Sequence, residues 1–208
     1  MKFTPDSKFM NFCAKLVELT KINLLWLLCC LPVFTIGAST TAMITALYAQ
    51  KAEEPCGSKV FFGAFRKSFR QATVLWLLML LFGAMLVMDY VIVASLEFPG
   101  RMAVIVLLFF LAFALLLFGG MIFPLLSQFP GGLKEMTINT ILLCLANLPK
   151  MLLVTAMNLL PLLLAVVLPQ VLVLGGFLWL ICGFALMALY DISVLEKIFA
   201  PFRAPAEE

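Results

Sequence analysis

From Ile22 to Gln50 the chain carries 29 consecutive residues without a charge, bounded by Lys21 and Lys51. A helix crosses the hydrocarbon of a bilayer with about 20 apolar residues, so this run is long enough to span. It is broken in the middle. Pro32 removes a backbone donor and strains the preceding turn, and Gly37 loosens the helix. Thr35, Ser39, Thr40 and Thr41 supply hydroxyls to re-satisfy the freed carbonyls inside a protein-packed interior. The run reads as a membrane helix with a polar, kinked waist.

Composition extends this reading to the whole chain. Apolar residues make up 64% and charged residues 12%, against about 45–50% and 25% in a soluble domain. The mean hydropathy is +1.15. The expectation is a single all-α integral membrane domain over residues 1–208, a polytopic helix bundle with room for about four to six crossings. That length leaves no space for a soluble catalytic or nucleic-acid-binding domain, and a net charge of +3 implies no polyanionic partner. The chain has no histidine, and its six cysteines show no CxxC spacing, so no metal site and no cofactor are expected. Lys2, Lys8, Lys15 and Lys21 ahead of the apolar run resemble the start of a secretory signal, but the basic region is too long and the run continues to Ala49, so the segment is read as retained.

Along the chain, residues 1–21 place Phe12, Leu16 and Leu19 at helical spacing with Lys15 and Glu18 between them, which predicts an interfacial amphipathic helix. Five hydrophobic segments follow, at 22–50, 71–96, 102–129, 151–168 and 171–190. Residues 51–70 read as a polar loop ending in FFGAFRKSFR, residues 134–150 as a surface helix leading into the fourth segment, and Pro169-Gln170 as a tight turn between the last two segments. Leu47–Gln50 and Leu125–Gln128 align as a short direct repeat.

Positive residues orient the chain. Four lie in the N-terminal segment, five in 51–70, one at Arg101, two in 127–150 and two in the tail. The long loops and the C-terminus are therefore expected in the cytoplasm. Folding the first segment back on itself at Pro32 to Gly37 would bring 13 of the 14 positive residues to that side, whereas five full crossings strand the N-terminal lysines outside. Kinked helices are far commoner than re-entrant segments, so five full crossings are expected.

Little in the chain is suited to catalysis. There is no histidine and no HExxH or GxSxG, and the expectation is a protein that is not an enzyme. Asp89 and Asp191 are the only acids close to the spans. Beside Tyr90 and Tyr190 they read as residues at the membrane boundary, with proton coupling as the alternative. The amides and hydroxyls within the spans, among them Asn23, Thr155 and Asn158, are expected to bond across helices rather than to converge on one cavity.

The stretches NLLWLLCCLPVFTIGASTTAMITALY (23–48), FFGAFRKSFRQATVLW (61–76), FPLLSQF (123–129) and LANLPKMLL (145–153) resemble the YesL-like family of small bacterial membrane proteins, a domain of unknown function. The resemblance implies a gene neighbourhood of oligosaccharide ABC importers, and no reaction. Two readings follow: an accessory subunit packed against the permease of a sugar importer, or an autonomous small-solute carrier or channel. For the first, the expected contacts are the kinked block with Pro32, Thr35, Gly37 and Ser39 and the basic aromatic stretch with Phe65, Arg66, Lys67 and Arg70. Beyond the lipid bilayer and possible permease subunits no partner is implied, nucleic acid included.

Overall fold

The computed structural model describes residues 8–167 and 175–202. Among these the chain is all helix: α1 Lys8–Cys30, α2 Ile36–Lys51, α3 Ser58–Ser95, α4 Arg101–Gln128, α5 Leu133–Ala146, α6 Leu148–Val167 and α7 Gly175–Phe202. The all-α bundle expected from composition is what forms. Three helices, α3, α4 and α7, are long and apolar enough to cross a membrane, and α5 with α6, bent by 99° at their junction, makes a fourth if the pair is one broken span. The chain is a multi-pass membrane protein.

The first segment departs from the expected full crossing. One helix runs from Lys8 through Lys21 to Cys30 without a boundary, and the chain then turns at Leu31-Pro32 and a short 3-10 stretch, Val33–Thr35, into α2. The two arms are antiparallel. Trp26 donates to Thr40 Oγ1 at 3.2 Å, Gln50 to the Lys15 carbonyl at 2.8 Å, and Lys15 pairs with Glu53 at 3.0 Å. Proline accounts for the reversal: it ends α1 by withholding an N–H, and its φ of −76° already suits the turn. Thr35 closes the break, its hydroxyl 2.5 Å from the Cys29 carbonyl and 2.6 Å from that of Pro32. The hairpin tip reaches only to Trp76, whose indole donates to the Val33 carbonyl at 2.8 Å.

Helix α2 forms the centre of the bundle. Ala38, Ala42 and Ala46 are completely buried, and small residues four apart let helix backbones approach closely where no hydrophobic force separates protein from lipid. Gly37 does more than loosen the helix. A Cβ there would stand 2.5 Å from the Ala72 carbonyl oxygen and 2.7 Å from Trp76 Cβ, so only glycine permits this contact between α2 and α3.

Two further differences concern the loops. Residues 58–70 are not loop but the first turns of α3, leaving a connection of 52–57. Phe61, Phe65 and Phe69 recur every four residues and pack inward, Phe61 fully buried, which carries the helix through the basic stretch. Helix α5 doubles back along α4, with Cys144 Sγ 3.6 Å from the Leu117 carbonyl, before the sharp bend into α6. The turn expected at Pro169-Gln170 lies outside the described residues.

Helix α7 is locked to α1 by an inserted side chain. Its ladder loosens into a π-helical turn at Trp179–Gly183, and the buried Asn23 amide enters the gap. Asn23 donates to the Leu180 carbonyl at 2.7 Å and accepts from the Ala185 N–H at 2.9 Å, so both freed groups are satisfied. At the other end Lys51 of α2 pairs with Glu196 of α7, and Phe129 meets Phe199 edge-on at 5.5 Å. The ends of α2, α4 and α7 therefore share one face of the molecule, and α5 with α6 must carry the chain from that face to the start of α7.

Candidate functional site

Two places bring polar groups together. The first is a groove of about 950 Å³ between α2, α3 and the turn from α4 to α5. Lys67 and Arg70 stand on it with Thr41, Thr45, Ser127 and Gln128, and Gln71 closes one end by donating to the Gly131 carbonyl at 3.0 Å. The opposite face of this part of α3 is the phenylalanine ladder, with Phe65 between Phe61 and Phe69 at centroid distances of 6.5 and 5.4 Å. Anchored from behind, Arg66, Lys67 and Arg70 are held exposed. The kinked block lies next to this edge, because Gly37 packs on Ala72, two residues beyond Arg70. Within it Pro32 is exposed at the hairpin tip, while Thr35 and Ser39 are buried. The two stretches singled out in the sequence are thus neighbours in space.

The connection at 52–57 carries two perturbed groups. Lys15 bonds the exposed Glu53 carboxylate and holds it below its ordinary range. Burial, reinforced by Glu18, pushes the Cys56 thiol up to about 11; its Sγ lies 2.9 Å from Glu18 Oε2 and donates to it.

The second place is a partly open cavity of about 320 Å³ lined by α1, α2, α3, α4, α6 and α7. Its wall is largely apolar and aromatic, with Trp26, Trp76, Phe123 and Phe184. Four polar side chains reach it from three helices: Thr40, Thr155, Asn158 and Asp191. Asn158 donates to Asp191 Oδ2 at 2.7 Å and to the Val154 carbonyl at 2.9 Å, and Asp191 Oδ1 and Thr155 Oγ1 are buried without a hydrogen-bond partner.

This corrects the reading of Asp191 as a boundary residue. The helix does not stop at Tyr190: Ile192, Leu195, Ile198 and Phe199 continue its buried stripe, each no more than 2% exposed. That stripe, ISVLEKIF at helical spacing, was the signal available in the sequence. Asp89 does lie exposed beside Tyr90, at the far end of α3, where Tyr90 meets Phe109 at 5.9 Å. The polar groups do both things: Asn23, Thr40 and Asn158 bond across helices as expected, and Thr40, Thr155 and Asn158 also line one cavity.

Comparison with known proteins gives one match. Residues 19–90, from the middle of α1 to most of the way along α3, match a family model described as "Protein of unknown function, DUF624". No curated protein and no solved structure matches the chain. The matched region holds the second half of α1, the turn at Pro32, α2, the phenylalanine ladder and the basic edge, and is similar to a family of unknown function in the part of the fold that forms the α2 and α3 walls of the groove.

Proposed function

We propose that this protein is a non-enzymatic accessory or regulatory subunit of an oligosaccharide ABC importer, a YesL-like protein of the plasma membrane that acts by contact with the permease. The observation that carries the reading is the basic edge of α3: Arg66, Lys67 and Arg70 are held exposed on a helix anchored by Phe61, Phe65 and Phe69, and Lys67 and Arg70 line the groove. Such an edge suits an acidic partner surface at headgroup depth. The orientation that goes with it places the shared face of α2, α4 and α7, the connection 52–57 and the C-terminus in the cytoplasm. A re-entrant first segment supports this, since it returns the N-terminal lysines to the same side as the other basic regions.

The test is a deletion strain complemented with wild type or with Arg66, Lys67 and Arg70 all changed to Gln. Oligosaccharide uptake and recovery of permease in pull-downs are the readouts. Loss of both in the triple variant, with normal amounts of protein in the membrane, is expected. Unchanged uptake of every glycan in the deletion strain, with no importer subunit recovered by wild type, would refute the accessory role. The second reading, an autonomous carrier of small solutes, is favoured by a different observation, the acid-bearing cavity at Asp191.

A further inference from the structure

The cavity between α2, α6 and α7 has an unequal supply of hydrogen-bonding groups. Both of its indole donors are already engaged, Trp26 with Thr40 and Trp76 with the Val33 carbonyl. Both amide protons of Asn158 are engaged as well, with Val154 and Asp191. On its wall, Asp191 Oδ1 and Thr155 Oγ1, the latter on a residue only 5% exposed, are buried without a hydrogen-bond partner. A buried acceptor without a donor is costly in apolar surroundings. Lys51, on a neighbouring turn, does not answer it, because its ammonium is taken by Glu196 and Ser193.

The rest of the wall points the same way. Trp26, Trp76, Phe123 and Phe184 contribute rings, and aromatic faces attract cations through their quadrupole. A carboxylate among aromatic rings, with a hydroxyl on the same cavity wall, complements a positively charged group that carries N–H donors and a short apolar body. About 320 Å³ is the lower end of the range for small-molecule sites.

We propose that this cavity is a binding site for a small primary ammonium ion, with the ammonium donating to Asp191 Oδ1 and Thr155 Oγ1 and its alkyl portion lying against Trp26, Trp76 and Phe184. Asn158 is the positioning residue: its amide holds Oδ2 and leaves Oδ1 without a partner. The proposal is independent of the importer reading, since none of Arg66, Lys67 or Arg70 lines this cavity.

The experiment uses the purified full chain in nanodiscs, titrated with butylammonium and, separately, with the neutral butan-1-ol, and read by tryptophan emission. Trp26 and Trp76 line the cavity and report directly. Butylammonium is expected to give a saturable change that butan-1-ol does not. Asp191→Asn keeps an acceptor for Asn158 but loses the charge, and is expected to weaken binding at least about tenfold. Thr155→Val is expected to weaken it several-fold, while Arg66, Lys67 and Arg70 changed to Gln leave it unaltered. The proposal is overturned if wild type shows no saturable response, if butan-1-ol matches butylammonium, or if Asp191→Asn binds as wild type does. Should Asp191→Asn fail to fold, Thr155→Val decides, and unweakened binding in that variant overturns the proposal equally.

Discussion

The α1–α2 hairpin and the α3–α4 hairpin are both antiparallel pairs cut from long apolar runs, yet they meet opposite surroundings. In α2, 11 of 16 residues are buried. In α3 only four of 38 are buried: Phe61, Ala72, Leu75 and Leu86. Side-chain size separates them. Helix α2 is built from Gly, Ala, Ser and Thr, which permit close backbone approach and bond locally, as when Thr41 and Thr45 donate to the carbonyls four residues back at 3.0 and 2.9 Å. The far halves of α3 and α4 present Leu81, Val87, Phe109 and Phe110 outward, each more than 60% exposed, and lipid solvates these as well as another helix would. In a membrane apolar character alone does not select the interior; closeness of packing does.

The sharpest way to break that contrast is Gly37→Leu. Its side chain would collide with the Ala72 backbone and Trp76, so a loss of about 3 kcal/mol is expected, read as denaturant-induced unfolding in mixed micelles. A result within about 0.5 kcal/mol of wild type would mean that α2 is not wedged against α3. Asn23→Ala comes next. It strips the partners from the Leu180 carbonyl and the Ala185 N–H, and about 2 kcal/mol is expected. Near-neutral stability would show that the π-helical turn re-forms its own bonds.

Pro32→Ala should cost far less, about 0.4–1 kcal/mol, because Pro32 sits between helices at the exposed tip and acts mainly by restricting the unfolded chain. The roughly 3 kcal/mol penalty of a proline in a helix interior does not arise here. Leu81→Ala, on the lipid-facing side of α3 at 62% exposure, is expected to change stability by less than about 0.5 kcal/mol. A larger loss would mean that this face is covered by protein and not by lipid.

The connection between the hairpins offers a probe that leaves stability alone. With its thiol pushed up to about 11, Cys56 is almost wholly protonated near neutral pH, so maleimide labelling should rise about tenfold per pH unit up to that value. Glu18→Gln removes the acceptor and the negative charge beside Sγ, lowers the thiol pKa and should speed labelling at fixed pH. Equal rates in the two proteins would show that Glu18 does not govern this thiol. The same chemistry warns that slow labelling of Cys56 in intact cells is not by itself a sign that it faces the cytoplasm.

The class of the protein and most of its helices were legible in the sequence, because charge-free length and helical periodicity are local properties. The spans α3, α4 and α7 follow from them, and so does the break at Pro32, since proline's missing N–H acts wherever it stands. Whether that break kinks a crossing or reverses it depended on partners distant in sequence, Lys15 with Glu53 and Trp26 with Thr40. Gly37 read as a weakness of its own helix and became a contact, because the constraint comes from the carbonyl of Ala72 on another helix. Asp191 shows the same division. Its apolar neighbours at 192, 195, 198 and 199 were visible in the sequence, but the cavity it faces exists only where α6 and α2 close over it. Sequence determined which residues must leave water; the tertiary structure decided which of them face lipid and which face one another, because both surroundings are apolar and only close packing distinguishes them.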